Sequence, residues 1–505
     1  MRLFKLLAAL FCLASSLSNA ALARDVLLTK PYLQQFGLTR GWYAQAPVAY
    51  EQYPLQDAVY HSGEVFILSQ SGSLTCFNAE TGQQRWSVRV GDPRNPYLPL
   101  GVGETAVAVI NGSHLYVVGR VDAKVAVEKD REFFSTAQSA SKKGVPAVVE
   151  YKTVPRTGKV IMEFKTRYVP SGAPAVTSDR VFVPNMSSLI DIYDVSPGKE
   201  AAYFCAIQAD GMVAGSPVAA GQHAVWLSVK GTLGVTSSEV TGPRESTAYN
   251  YRMRGFGEVP PTSRGNMVFA GTSIGEVSMF STKLSEPIWT TSIGAKFRTS
   301  PIAIGPALYL TTDDYRLFKL NSADGREVWQ TAGIRQFVAQ SATKVYVIDE
   351  IKRLAILDIN TGAILRTISI AGDKRVLANP HSDQVFLVSN HGLIEEIHET
   401  ALKTRLNYTY QELANAEKAD KKVKPVQPAD PSAPATPVVD PFAPAGPAAP
   451  AVDPFAPAAP GNAPPPADPF APAPGGAMPA APAAADPFGP APAAGGAMPA
   501  DPFAK

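Results

Sequence analysis

Apolar and polar residues alternate with period two in short runs along most of the chain, and the runs come in sets of three or four. Residues 63–86 show the unit most clearly. An apolar run Val65-Phe66-Ile67-Leu68 leads to a turn ending at Gly72. A second run, Leu74-Thr75-Cys76-Phe77, leads to a Thr81-Gly82 turn and closes on Trp86. Alternation of this kind marks strands, and Gly at the turns supplies the backbone conformations that tight connections need. The unit returns at 307–329, with Leu308-Tyr309-Leu310, Leu317-Phe318, Asp324-Gly325 and Trp329. It returns again at 344–366, with Thr361-Gly362 followed by Ile364-Leu365.

The second turn of each copy sets the period. Gly82, Gly158, Gly198, Gly242, Glu286, Gly325 and Gly362 are separated by 76, 40, 44, 44, 39 and 37 residues. The long first interval is one period plus an insertion, read as a polar loop over 128–145 around Ser139-Ala140-Ser141-Lys142. An eighth, partial copy spans 383–398 and has no final strand of its own. Repeats of about 40 residues that each supply four strands predict an all-β propeller, in which every blade buries its faces against its neighbours. The ring must close, or one blade is left unpaired. Leu38 to Tyr43, with Trp42, matches the aromatic fourth strand and is expected to complete the last blade. Seven marked copies and one shared blade predict eight blades, with seven as the alternative.

The pattern of strand, Gly, Leu, an Asn or Asp, Thr-Gly and Trp resembles the propeller repeat named for pyrroloquinoline quinone (PQQ). That family includes quinoprotein alcohol dehydrogenases and the non-enzymatic propeller of the outer-membrane β-barrel assembly machinery. The resemblance covers about 55–400 and is strongest at 63–86 and 299–329. It thins in the second to fourth copies, where Phe164, Tyr203 and Tyr249 stand in place of Trp. It implies a fold, since these Trp, Gly and Leu residues pack blades together, and leaves the function open. The enzymes of the family use an adjacent cysteine pair, an acid- and amide-bound calcium and a catalytic Asp. No two cysteines are adjacent here and no matching acid cluster stands out, so the resemblance implies a protein without that cofactor.

Composition then divides the chain. Residues 425–505 hold 25 of the 45 prolines together with 27 alanines, and Asp-Pro-Phe recurs at Asp440, Asp453, Asp468, Asp486 and Asp501. Such a segment cannot build a core and is expected to be a disordered, semi-rigid arm. Residues 401–424, rich in Lys, Glu and Ala, are expected to form a short helix or linker before it. The arm carries six acids against Lys505, and residues 1–23 carry two bases. Of the whole-chain charge of +2, residues 24–424 therefore hold +5. So mild and scattered an excess excludes a dedicated nucleic-acid binder. At the N-terminus, Arg2 and Lys5, an apolar run over 6–17 and Ala-x-Ala-like sites at Ala20 and Ala23 predict a signal peptide over 1–23. The run is too short to span a bilayer, and no other segment is apolar enough. A propeller over 24–400 is thus expected to be exported, periplasmic or secreted, with no transmembrane segment.

The candidate chemistry is sparse. Gly271-Thr272-Ser273-Ile274-Gly275 fits a nucleophile pattern but is followed by another strand, so it reads as a turn between blade strands. Gly101-Val102-Gly103 lacks the surrounding unit of a dinucleotide site. Asp313-Asp314 aligns with the Ser71-Gly72 turn and lacks the further acids of a calcium loop. His61, His114, His223, His381, His391 and His398 show no metal-ligand spacing. Glu395 and Glu396, between two of them, read as solvated rim residues. Cys76 and Cys205 are expected to be separate buried thiols. Asn111, Asn185 and Asn407 lie in glycosylation sequons, which matter in a eukaryotic secretory route. The sharpest non-structural signal is the Asp-Pro-Phe series. Phe442, Phe455, Phe470, Phe488 and Phe503, each beside a Pro, are candidate anchors for a protein partner, alongside the plainer role of spacer. The expected function is a non-catalytic scaffold for protein–protein interaction in the cell envelope, with no cofactor or metal and with outer-membrane association through partners. A divergent PQQ-dependent dehydrogenase and a carbohydrate- or surface-ligand-binding propeller are the alternatives.

Overall fold

Eight four-stranded antiparallel sheets follow one another along the chain. In the computed structural model, residues 27–49, 52–128, 149–237, 247–370, 374–402 and 406–408 are described. The chain divides into two units, Met1–Pro425 and Val426–Lys505, and the second lies wholly outside the described residues.

Blade 1 comprises Leu55–His61, Glu64–Ser69, Ser73–Asn78 and Gln84–Arg89. Blade 2 comprises Gly101–Val102, Ala106–Asn111, His114–Gly119 and Val160–Lys165. Blade 3 is Ala175–Val176, Arg180–Pro184, Leu189–Asp194 and Ala202–Gln208, and blade 4 is Val218–Ala220, His223–Leu227, Thr232–Thr236 and Thr247–Arg252. Blade 5 is Thr262–Arg264, Met267–Gly271, Glu276–Ser281 and Trp289–Ser292. Blade 6 is Ile302–Ile304, Ala307–Thr311, Arg316–Asn321 and Glu327–Ala332. Blade 7 is Ile334–Gln340, Lys344–Asp349, Leu354–Asp358 and Ile364–Ile368. Blade 8 takes Lys374–Val376, Val385–Ser389 and Leu393–Glu399 from the end of the repeat region and Leu38–Gln45 from its start. That last strand pairs Trp42 with Glu396 and Tyr43 with Glu395, so the ring closes as the sequence predicts, with eight blades.

The second and third strands are buried on both faces, because each blade is sandwiched between two others, whereas the fourth strands alternate exposed and half-buried. Burial of apolar side chains between blades is the main stabilising term of such a ring. A recurrent joint fixes the seams. The fourth-strand Trp of one blade lies on the Gly of the next blade's Thr-Gly turn, and its indole N–H donates to the carbonyl three residues before that Gly. Trp42 Nε1 donates to Ala79 O (2.8 Å), Trp289 to Ser322 O (3.1 Å) and Trp329 to Ile359 O (2.9 Å). A Cβ at Gly82, Gly325 or Gly362 would stand 2.5, 2.5 and 2.6 Å from the ring of Trp42, Trp289 and Trp329. These glycines also have φ near +70°, so both the turn and the ring require them. Tyr249, where Trp is replaced, reaches the next blade through its hydroxyl, which donates to Ser281 O (2.6 Å).

The strands alternate in direction, so each blade puts its second–third turn and its link to the next blade on one face, here the linker face. Its other two turns lie on the opposite face. The insertion of blade 2 falls on the opposite face, where Ala123–Glu128 pairs with Val149–Val154. The polar loop expected at 128–145 lies almost entirely outside the described residues, as do the signal peptide, the Pro/Ala-rich arm and most of the linker.

One expectation is corrected. Glu395, Glu396 and His398 are buried, not rim residues. They sit on a third strand, which has blades on both sides. Glu395 pairs with Lys374 (2.6 Å) and accepts Leu28 N–H, and Glu396 accepts from Gly41 N–H and Gln384 and contacts His398 Nδ1 (3.0 Å). Buried charge here ties the segment 28–41 to the last repeat at the point of closure. Asn111 and Asn185 are likewise buried, which leaves Asn407 as the exposed sequon of the three.

Candidate functional site

The blades present equivalent backbone positions on the linker face. In each case a turn N–H donates to a carbonyl of the incoming link: Met186 to Val169 (2.9 Å), Val229 to Met212 (2.8 Å) and Ser273 to Phe256 (2.9 Å). The same bond joins Asp313 to Lys296 (2.9 Å), Glu350 to Gly333 (3.0 Å) and Gly112 to Pro96 (2.8 Å). The register makes these pairs directly comparable. Blades 2, 6 and 7 carry Pro, Gly or charged residues at the two positions, and in blade 7 Ile351, one residue beyond Glu350, is exposed. Blades 3, 4 and 5 carry Val169 and Met186, Met212 and Val229, and Phe256 with Ile274 one residue beyond its turn partner.

All six of these apolar side chains are solvent-exposed, from 37% for Met212 and Val229 to 64% for Val169 and Phe256. Single exposed apolar residues are ordinary; these six form an arc on three successive blades of one face. Between them lies a cleft of about 450 Å³ lined by Met186, Met212, Val213, Val229, Gly257 and Lys296. Its polar end is closed by the Lys296–Glu258 ion pair (2.9 Å). Methionine side chains let such a cleft adapt to its occupant. No motif marks these residues in the sequence; only the backbone register brings them into one series.

The opposite face of blades 8, 1 and 2 is different. Buried Glu64 pairs with Arg85 (2.5 Å) and with Arg120 Nε, and Arg120 also donates to Gly103 O and Ser62 O (3.0 Å each). His61 Nε2 meets Glu104 Oε1 at 3.1 Å, and this hydrogen bond is the main cause that brings the Glu104 carboxyl down to about 2. Burial, then the charge of His61, pushes His381 down to about 4. The charges neutralise one another and organise loops. Among the described residues, no group of three or more His, Cys, Asp or Glu is arranged to hold a metal ion.

The remaining sequence candidates resolve into structure. Ser273 is in a turn, where its hydroxyl accepts Phe256 N–H (3.0 Å). Gly101 and Gly103 permit close packing, since a Cβ on them would stand 2.1 and 2.5 Å from Pro174 O and Val176 O of blade 3. Cys76 and Cys205 are separate buried thiols of blades 1 and 3, and burial pushes the Cys76 thiol up. Phe442, Phe455, Phe470, Phe488 and Phe503 lie outside the described residues.

The family model described as outer membrane protein assembly factor BamB matches residues 41–162 and 234–404, more than half of the chain. The chain belongs to this family. The stretch between the two matches, 163–233, holds all of blade 3 and the first half of blade 4, and with them Val169, Met186, Met212 and Val229. Among solved structures, the C-terminal WD40 domain of Sif2 is similar at 8% identity and TM-score 0.51, over 72% of this chain and 98% of that one. The computationally designed Ika8 protein is similar at 14% identity and TM-score 0.50, over 70% and 100%. BamB from Moraxella catarrhalis aligns at 12% identity and TM-score 0.49, over 72% and 99%. At these identities the first two likenesses speak for the propeller fold alone. No curated protein matches the chain.

Proposed function

We propose that this protein is an exported, non-catalytic scaffold of the cell envelope that serves the assembly of envelope proteins, and that the arc on blades 3–5 is its docking face. The observation that carries this reading is the arc itself: one link position, apolar and exposed as Val169, Met212 and Phe256 on three successive blades and Pro96, Lys296 or Gly333 on three others. Family membership supports the assembly role by analogy with the printed family description. The Asp-Pro-Phe units of the arm, anchored through Phe442, Phe455, Phe470, Phe488 and Phe503, are a second contact element in this reading.

The test uses a photo-crosslinking residue in the native host at Met212 or Phe256, with Tyr43 and Val328, exposed on fourth strands, as control positions. The arc positions are expected to capture envelope proteins that the controls do not, and Val169→Asp with Met186→Asp to abolish capture and lower outer-membrane β-barrel levels. Unchanged capture and unchanged barrel levels in the double variant overturn the reading. Removal of 425–505 is expected to weaken capture; if it leaves capture intact, the arm is a spacer. Purified protein given PQQ and calcium is expected to show no alcohol-dependent dye reduction, and activity there favours the dehydrogenase reading.

A further inference from the structure

The third strand of every blade has one position that pairs with the second-strand residue two before the position that Asn185 holds in blade 3. It is Thr75 in blade 1, Tyr116 in blade 2, Asp191 in blade 3 and Gly234 in blade 4. In blades 5 to 8 it is Ser278, Phe318, Ala355 and Glu395. Two of the eight are acids. Glu395 has a buried Lys374 beside it. Asp191 has no such base.

Asp191 is fully buried in the seam facing blade 2, on the side of its strand that carries Tyr193. In blades 1 and 5 the hydroxyl at this position bonds a hydroxyl on the fourth strand, Thr75 to Ser87 (3.0 Å) and Ser278 to Thr290 (2.8 Å). Opposite Asp191 stands Ala206, which offers nothing. The charged and titratable groups facing Asp191 are exposed Arg167, from the link out of blade 2, and the phenols of Tyr193 and Tyr203. Asp191 Oδ1 and Tyr193 OH have no hydrogen-bond partner among the described residues. Its one bond is made by Oδ2, which accepts from Asn185 Nδ2 (3.2 Å).

Asn185 is the hinge of the turn that carries Met186. Its Oδ1 accepts the N–H of Ser187 (2.9 Å) and of Leu189 (3.1 Å), and Ser188 in that turn has φ +59°. The equivalent turn of blade 4 is locked by Ser228 Oγ, which accepts Thr232 N–H (3.0 Å) with no acid behind it. A hydroxyl can turn to suit such a bond. An amide has two unlike ends, and the wrong one toward the turn would set donor against donor.

We propose that Asp191 is a positioning residue of the docking arc: by holding the Asn185 amide nitrogen, it keeps the amide oxygen on the turn and so fixes where Met186 is presented. The inference rests on the docking reading for its purpose and on hydrogen bonds alone for its mechanism. It accounts for a buried acid retained where most blades place small or apolar residues, although burying a carboxyl with one atom unpartnered costs stability.

Two variants of similar volume separate position from stability. Asp191→Leu removes the acceptor and makes the seam more apolar; Asp191→Asn retains an amide oxygen that can accept from Asn185. Native-state amide hydrogen exchange of the full chain is read at Ser187 and Leu189, with Thr232 of blade 4 as internal control. Asp191→Leu is expected to speed Ser187 and Leu189 exchange about tenfold, the loss of roughly one hydrogen bond's worth of local protection. Asp191→Asn is expected to stay within about twofold of the parent, and Thr232 to be unchanged in both. Unchanged exchange in Asp191→Leu, equal acceleration throughout blade 3, or equal acceleration in Asp191→Asn overturns the assignment. No partner is needed for this measurement, so its outcome is independent of the crosslinking test. An exchange effect without capture in the parent sinks the docking reading alone, and capture without an exchange effect sinks Asp191 alone.

Discussion

The seams from blade 5 to blade 7 and from blade 8 to blade 1 differ from those between blades 2, 3 and 4. In the first group a Trp lies on a Gly and donates to a fixed carbonyl, and Thr291 and Thr331 add bonds to Gly325 O (3.0 Å) and Gly362 O (2.7 Å). In the second group the joint has drifted. Phe164 meets Tyr193 edge-on at 5.3 Å, and Tyr203 lies under the Arg167 guanidinium at 4.7 Å. The apolar arc begins where the regular joints are missing, and the stretch that the family model leaves unmatched covers blade 3 and the first half of blade 4. A closed ring does not need every seam to be equally strong. Seams of one repeated design hold the circle, and the others are free to be shaped by what the linker face must present.

The largest expected effect breaks a regular seam. Trp329 is 7% exposed, and Trp329→Ala should cost about 3–5 kcal/mol, through lost burial and the cavity left behind. Phe164→Ala, at a half-buried drifted joint, should cost less than half as much. Denaturant midpoints at constant m-value compare the two. If Phe164→Ala proves the costlier, the seams are not divided as described. Next in size is Gly362→Ala. It forces a side chain onto φ +72° and places Cβ 2.6 Å from the Trp329 ring, for about 1–3 kcal/mol of overpacking beyond the backbone penalty. Gly305→Ala, at φ +53° with no atom within 4 Å, isolates the backbone penalty, about 1 kcal/mol.

A finer comparison lies within the Trp joints. Trp86 packs on Gly158, yet its Nε1 has no partner among the described residues. The residue three before Gly158 is Pro155, which directly follows the inserted hairpin, so the usual acceptor is displaced. Trp329→Phe should therefore cost about 1 kcal/mol more than Trp86→Phe, the net worth of one hydrogen bond. Equal costs would mean that the indole N–H contributes nothing to the joint.

The pH response should also differ by region. Desolvation raises Asp191, so the folded state holds its proton longer than the unfolded state does. Stability from this group is full below the ordinary value of 3.8 and is lost as pH rises through the folded value; Asp191→Asn removes that slope. Glu104, lowered to about 2, acts with the opposite sign. Its contribution is present above the ordinary 4.5 and is lost as pH falls toward about 2, and its exposure keeps it to about 1 kcal/mol or less. Midpoints measured against pH for Asp191→Asn and Glu104→Gln check both signs.

The ring, its eight blades and its closure were legible because the joints are made of rare residues at fixed spacing. Trp42 stands out before the first full copy for the same reason that it packs on Gly82. The buried Glu395-Glu396-His398 group was not legible. Glu395 and Glu396 are adjacent and so point to opposite faces of their strand, which reads as a solvated rim, and only the presence of a blade on either side turns both faces inward. The arc was invisible for a different reason. Val169, Met212 and Phe256 lie in links of equal length, 166–174, 209–217 and 253–261, but of unlike composition, and no residue type common to them marks their equivalence before the flanking strands are placed.

The smallest expected effect on stability is the most pointed test of the division. Val169→Ser, Met212→Ser and Phe256→Ser remove exposed side chains from the arc without touching a seam. Each should change the denaturant midpoint by an amount worth no more than about 0.5 kcal/mol, as surface substitutions do. Serine costs little at these positions because Val169, Met212 and Phe256 meet their turns through backbone carbonyls, which every residue has. If the three together leave stability intact but lose the crosslinks formed at Ile274, stability and docking reside in different positions, the seams and the linker face. If instead they lower the midpoint as Trp329→Ala does, the apolar positions are part of the packing. The drifted seams are then held together at the linker face, and the arc is a substitute for the missing Trp joints.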